Sequence, residues 1–142
     1  MGRVINTDSS GKERALLTRS VVIAIQELMR QEEVDVKTHD LAAYIALALE
    51  AIWKTIDTSV EAWEKRGYWL KADRFRMEWE WSNRLGHKLH DGIADEDWDQ
   101  VALTSAQVAE KLKSVKLPKR LPKSEPWNGA WEKLSSIKRK ER

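Results

Sequence analysis

The chain contains no cysteine. Disulfides, zinc–thiolate centres and thiol nucleophiles are therefore excluded, and the omission fits a reducing compartment. Glycine occurs six times and proline three times in 142 residues, too few for an all-β chain built on many tight turns. Phenylalanine occurs once. The longest apolar run, Leu41–Leu49, stops at Glu50, about half of the roughly 20 residues a membrane span requires. It is expected to be a buried helix, and no membrane partner is expected. The first eleven residues carry no apolar core of the signal-peptide kind, so a cytoplasmic location is expected. No glycine-rich phosphate loop, nucleophile elbow or other motif that names a chemistry is present. The expectation is a non-enzymatic protein with no cofactor and no metal.

What is present is charge, at 34% of residues, beside 42% apolar residues. That mixture, with few helix breakers, predicts an all-α fold. Eight tryptophans stand against the single phenylalanine, and most are expected to fill the core with the indole N–H locally paired. The net charge of +2 hides an asymmetry. Residues 111–142 carry eleven Lys/Arg against three acidic residues, a net of +8, which leaves −6 for residues 1–110. Acid is concentrated at Asp91, Asp95, Glu96, Asp97 and Asp99. An acidic body and a basic tail attract each other or serve separate partners.

Hydrophobic spacing places the helices. Residues 1–10 read as an arm, and Ser10 with Glu13 reads as a capping box opening a first helix that runs to about Gln31. Its stripe is Leu17, Val21, Ala24 and Leu28. Thr38 is the expected N-cap of a second helix, with Asp40 favouring the positive end of the dipole. That helix is apolar on two faces, Ile45, Leu49, Ile52, Ile56, Val60 and Trp63 on one, Tyr44, Leu47 and Ala51 on the other. This pattern marks the central element of a bundle. It runs to Arg66 or breaks at Asp57–Ser59, and Gly67 is the natural stop. A third helix starts near Tyr68 with the stripe Tyr68, Ala72, Phe75, Trp79, Ser82, Gly86, Leu89 and Ile93, and Asp91-Gly92 signals its end. A fourth begins at Asp95, its stripe including Trp98, Val101, Ser105, Val108 and Leu112. The expected architecture is an antiparallel bundle of three to four helices over residues 11–116. Residues 117–142 form an extended basic tail, in which Leu117-Pro118-Lys119 is echoed by Leu121-Pro122-Lys123. The tail carries a short helix near 125–135 with Trp127, Trp131 and Leu134 on one face.

Two segments carry a wider resemblance. Met1-Gly-Arg-Val-Ile-Asn6, and Ala62-Trp-Glu-Lys-Arg66 leading into Lys71-Ala-Asp-Arg-Phe-Arg76 and Glu78-Trp79, resemble a group of short uncharacterised helical proteins from green non-sulfur bacteria (Chloroflexota). The resemblance covers about two thirds of the chain and implies a bacterial, cytoplasmic protein. Locally, Asn83-Arg84-Leu85-Gly86-His87, with Trp98 further on, is similar to the Asn-Arg-Leu-Val-His signature of HEPN-type ribonucleases, which are also helix bundles. The resemblance implies a catalytic arginine at position 82, where this chain has Ser82. The missing cation is the one expected to stabilise charge on the transferring phosphoryl group.

The remaining candidates are weighed as residue types. His87 and His90, three apart on one helix, form half of a metal site or a polar helix end favoured by the dipole. The acids from Asp91 to Asp99 read as a solvated helix N-terminus. Arg74 and Arg76, flanked by Trp69 and Trp81, combine residue types enriched at interface hot spots, against an alternative of salt-bridged surface charge. In the tail, Lys119, Arg120 and Lys123 with Trp127, Trp131 and Leu134 have two readings. The tail straps back over the bundle, or it is a basic arm. As an arm it grips a protein groove or a nucleic acid, whose phosphates and bases suit lysine and indole. The functional expectation is a protein-interaction or assembly module, with self-association as one form of it. A nucleic-acid-binding accessory protein is the first alternative and a degenerate HEPN-type ribonuclease the second.

Overall fold

The computed structural model describes residues 7–117 and 125–140. Among them are five helices and no strand: α1 (Thr7–Met29), α2 (Val36–Lys65), α3 (Trp69–Ala94), α4 (Trp98–Lys111) and α5 (Ala130–Lys140). The protein is an all-α bundle. Short turns make α1 and α2, α2 and α3, and α3 and α4 antiparallel neighbours. Helix α2 is the axis. At 30 residues it is about 45 Å long, and it packs on α1, α3 and α5, while α4 closes against α3 and α1. Leu41, Ile45, Leu49, Ile52 and Ile56 of α2 are fully buried with Val21, Leu85, Leu89, Val101 and Val108 from its neighbours.

The helix does not break at Asp57–Ser59. Ile56, Ser59 and Val60 are all buried there, and Thr55 returns its hydroxyl to the Ile52 carbonyl at 2.6 Å. Packing against α3 overrides the weak local break signal. Small residues set the approach of the helices. A Cβ at Gly86 would stand 3.3 Å from Leu49 Cβ, and one at Gly92 would stand 3.0 Å from Val101 Cγ2. Gly92 is therefore an interior helix residue that admits α4, and the helix ends two residues later than Asp91-Gly92 suggests.

The start signals are shifted by about a turn. Residues 7–10 are already helical, so Ser10 lies inside α1, where it has no free first-turn amide to cap. At α2 the N-cap is Asp35, and Thr38 is its partner three residues on. The Asp35 carboxylate accepts from the Thr38 N–H at 3.0 Å, and the Asp35 N–H donates to the Thr38 hydroxyl at 3.3 Å. At α4 the cap is Asp97, not Asp95.

Two helix ends share one C-terminal geometry. After α2, Tyr68 N–H donates to Trp63 O and Gly67 N–H to Glu64 O, with Gly67 at φ +81°. After α3, Asp97 N–H donates to Gly92 O and Glu96 N–H to Ile93 O, with Glu96 at φ +52°. Both are Schellman closures with a left-handed residue just past the helix. Only the first uses glycine, and the left-handed conformation costs a side chain about 1–2 kcal/mol. Glu96→Gly is expected to stabilise the protein by about 1 kcal/mol and Gly67→Ala to destabilise it by a similar amount. Urea unfolding midpoints measured at unchanged slope check the pair. A second expectation concerns acid. The Thr38 backbone and hydroxyl hold the Asp35 carboxyl below its ordinary pKa. The cap therefore contributes in full above the unfolded carboxylate value, near pH 4, and is lost as pH falls through the depressed folded value. Asp35→Ala is expected to flatten the acid side of the stability profile between those limits.

Candidate functional site

The C-terminal segment is docked. Trp127, Ala130 and Leu134 are buried in the main core against α2. The buried Asp40 carboxylate of α2 accepts from Gly129 N–H at 3.2 Å and Trp131 N–H at 3.1 Å. A helix leaves its first amides unpaired, and here a carboxylate 89 and 91 residues away in sequence satisfies two of them. Beside it, the His39 ring lies 4.1 Å from the Trp131 ring and 4.7 Å from Trp98, centroid to centroid. Thus His39 wedges α4 and α5 together. Two of the proposed partner-contact residues, Trp127 and Leu134, face the chain's own core. Trp131 remains partly exposed at the edge. The other tail candidates, Lys119, Arg120 and Lys123, lie outside the described residues.

The histidines of α3 line a groove beside α2. His87 is exposed and its Nδ1 is 2.8 Å from Asn83 O. Together with His90, Asn83, Glu50 and Asp57 it lines a groove of about 260 Å³ between α2 and α3. Among the described residues, no group of three histidine, aspartate or glutamate side chains is close enough to hold a metal ion. Ser82, at the position of the arginine implied by the HEPN resemblance, is fully buried and donates to Trp79 O at 2.7 Å. Arg84 is exposed, within 3.7 Å of Glu80.

The α2–α3 corner carries an exposed apolar cluster. Tyr68, expected on the buried stripe, is instead the N-cap residue of α3 and 54% exposed. Trp69 is 61% exposed, Leu70 64% and Met77 78%. Tyr68, Trp69 and Leu70 line an open groove of about 630 Å³ together with Trp63, Lys71, Arg74, Phe75 and Glu78. Lys71 Nζ stands 4.5 Å from the centre of the Trp63 ring, a cation–π contact. Among the described residues, no carboxylate pairs with Arg66, Lys71 or Arg74. Arg76 differs. It holds Glu64 at 3.0 Å and Asp73 at 3.2 Å, so it braces α3 on α2. The structure therefore brings Arg74 and Trp69 to one groove and removes Arg76 and Trp81 from it, since Trp81 is buried and stacked on Trp79 at 5.7 Å. Leu70 and Met77 were not singled out by sequence. Their signal was available, because both are large apolar residues off the buried stripe of α3.

Comparison with models of protein families, with curated proteins and with solved structures finds no match. No helix among the described residues is long and apolar enough to cross a membrane.

The docked tail has a direct test. Asp40→Ala removes the acceptor of two part-buried amides at the start of α5, at a cost of about 1 kcal/mol for each hydrogen bond. Hydrogen–deuterium exchange across Trp127–Ser135 is expected to be slow in the wild type and fast in the variant, with exchange in the middle of α2 unchanged. Equal protection in both proteins would show that Asp40 does not hold the segment.

Proposed function

We propose that the protein is a non-enzymatic binding module and that its partner is a protein presenting an acidic amphipathic helix to the α2–α3 corner. The observation that carries this reading is the association of exposed Tyr68, Trp69, Leu70 and Met77 with three cations that have no carboxylate partner among the described residues. A contiguous exposed apolar patch marks an interaction site more often than a bare surface. Tryptophan, tyrosine, methionine and arginine are the types enriched in interface centres. An open groove walled by aromatic rings suits the apolar face of a helix. Unpaired Arg66, Lys71 and Arg74 favour acids on that helix. The same charges oppose two copies pairing corner to corner, which would set cation against cation.

Display of helical peptides against the purified full chain tests this. The expected selection is of amphipathic sequences with Asp or Glu beside Leu, Phe or Trp. Trp69→Ala is expected to weaken their binding at least 30-fold, about 2 kcal/mol or more, and Arg74→Glu about ten-fold. Neither change should move the unfolding midpoint by more than a few tenths of a kcal/mol, because both side chains are exposed. Peptides whose binding survives both substitutions would sink the proposal. So would preferential binding of RNA homopolymers with a steep salt dependence, which would move the reading to nucleic acid.

A further inference from the structure

A second site lies at the other end of the row of rings formed by Trp63, Phe75, Trp79 and Trp81 and goes beyond the corner surface. Arg14 of α1 is buried, only 8% exposed, on the same stripe as Thr18 and Val21. Its guanidinium has five N–H donors, yet among the described residues it makes one hydrogen bond, from Nη2 to Ser59 Oγ at a long 3.3 Å. Nε is enclosed with no partner. Among the described residues, no carboxylate is within ion-pair distance. The group rests on ring faces instead, 4.9 Å from the centre of Phe75 and 5.8 Å from that of Trp79. A buried charge held only by rings and one weak hydrogen bond is expensive. Burial accordingly lowers the Arg14 pKa.

The residue lines a groove of about 440 Å³ between α1, α3 and the end of α4. Its apolar walls are Trp79, Trp81, Leu112 and Val115, and its other charged members are Lys111 and Glu78. Those two charges offset each other, so the charge left over is that of Arg14. We infer that this groove binds a small apolar monocarboxylate, its carboxylate on the Arg14 guanidinium and its hydrocarbon against the Trp79–Trp81 wall. One negative charge neutralises one buried cation, and a carboxylate matches the fork of a guanidinium in two parallel hydrogen bonds. The hydrocarbon accounts for the apolar walls, which a free phosphate ion would leave uncovered.

Octanoate, octanol and inorganic phosphate serve as probes on the full chain, read by isothermal titration and by tryptophan fluorescence. Octanoate is expected to bind saturably and to raise the thermal midpoint. Octanol and phosphate are each expected to bind at least ten-fold more weakly. Arg14→Met, which keeps the volume and removes the charge, is expected to fold with helical content unchanged and to lose at least ten-fold in octanoate affinity. Equal response to octanoate and octanol overturns the proposal, and so does phosphate binding as tightly as octanoate. Octanoate affinity retained in folded Arg14→Met also overturns it. Should that variant not fold, the three-probe comparison on the wild type still decides.

Discussion

Everything in this bundle follows from a central helix that cannot face water along most of its length. Residues Leu41, Ala42, Ala43, Ile45, Ala46, Ala48 and Leu49 of α2 are all buried, which is more than one face of a helix. A single neighbour covers about a third of such a cylinder, so three are needed. Helices α1 and α3 supply two of them along the length of α2. The C-terminal segment supplies the third, over the first turns. Alanines on α2 and Gly86 on α3 make close approach sterically possible. The tail is thus part of the core by necessity of coverage, and the Asp40 carboxylate fixes its register at the one place where α5 exposes unpaired amides.

Coverage of α2 also decides where function is left room. With Trp127 and Leu134 consumed in the core, the exposed large apolar residues of the α2–α3 corner are Tyr68, Trp69 and Leu70, with Met77 two turns further along α3. This corner is cationic, through Arg66, Lys71 and Arg74. The far end of α3 is acidic, through Asp91, Asp95, Glu96, Asp97 and Asp99, all exposed. With 26 residues between them, α3 separates these ends by about 39 Å, well beyond the roughly 8–10 Å over which exposed charges interact at physiological salt. The two ends are therefore independent electrostatically, and each presents its own sign to solution.

Helix existence was legible because a 3.6-residue stripe is a property of neighbours in sequence. So was the stop at Gly67, where a left-handed residue is required. The starts were less legible. At α2, Thr38 and Asp35 are reciprocal members of one cap, and local reading selects either. The role of Asp40 was not legible at all: its partners are about 90 residues distant, and no local pattern reports them. A charge in the first turn of a helix has an ordinary explanation in the dipole, which concealed a structural one. Arg14 stands between these cases. Its place four residues before Thr18 and seven before Val21 puts a cation on an apolar stripe, an irregularity visible in sequence. Only the structure shows that, among the described residues, no carboxylate is within ion-pair distance of it. The corner was half legible, since Arg74 and Trp69 were singled out but Arg76 and Trp81 turned out to brace the interior.

The two candidate sites touch a common row of rings. Trp63 packs on Phe75 at 4.9 Å, Phe75 on Trp79 at 6.4 Å, and Trp79 on Trp81 at 5.7 Å. Trp63 and Phe75 wall the corner groove, Trp79 and Trp81 wall the Arg14 groove, and Glu78 borders both. Contiguity of packing is a route for strain, but coupling needs an element with two arrangements that both sites bias. The rings here are held by buried residues on each side: Ala72, Ile56 and Val60 beneath Phe75, and Arg14 against Trp79. A row so constrained transmits a displacement only by repacking the core, at a cost of about 1–3 kcal/mol. A cost of that size corresponds to about 5- to 150-fold in affinity, which bounds any coupling between the two grooves. Charge chemistry separates the proposed roles further, since in the first the corner's cations would meet acids on a folded helix. In the proposal for the second groove, the Arg14 guanidinium takes a small anion that can enter a half-closed groove.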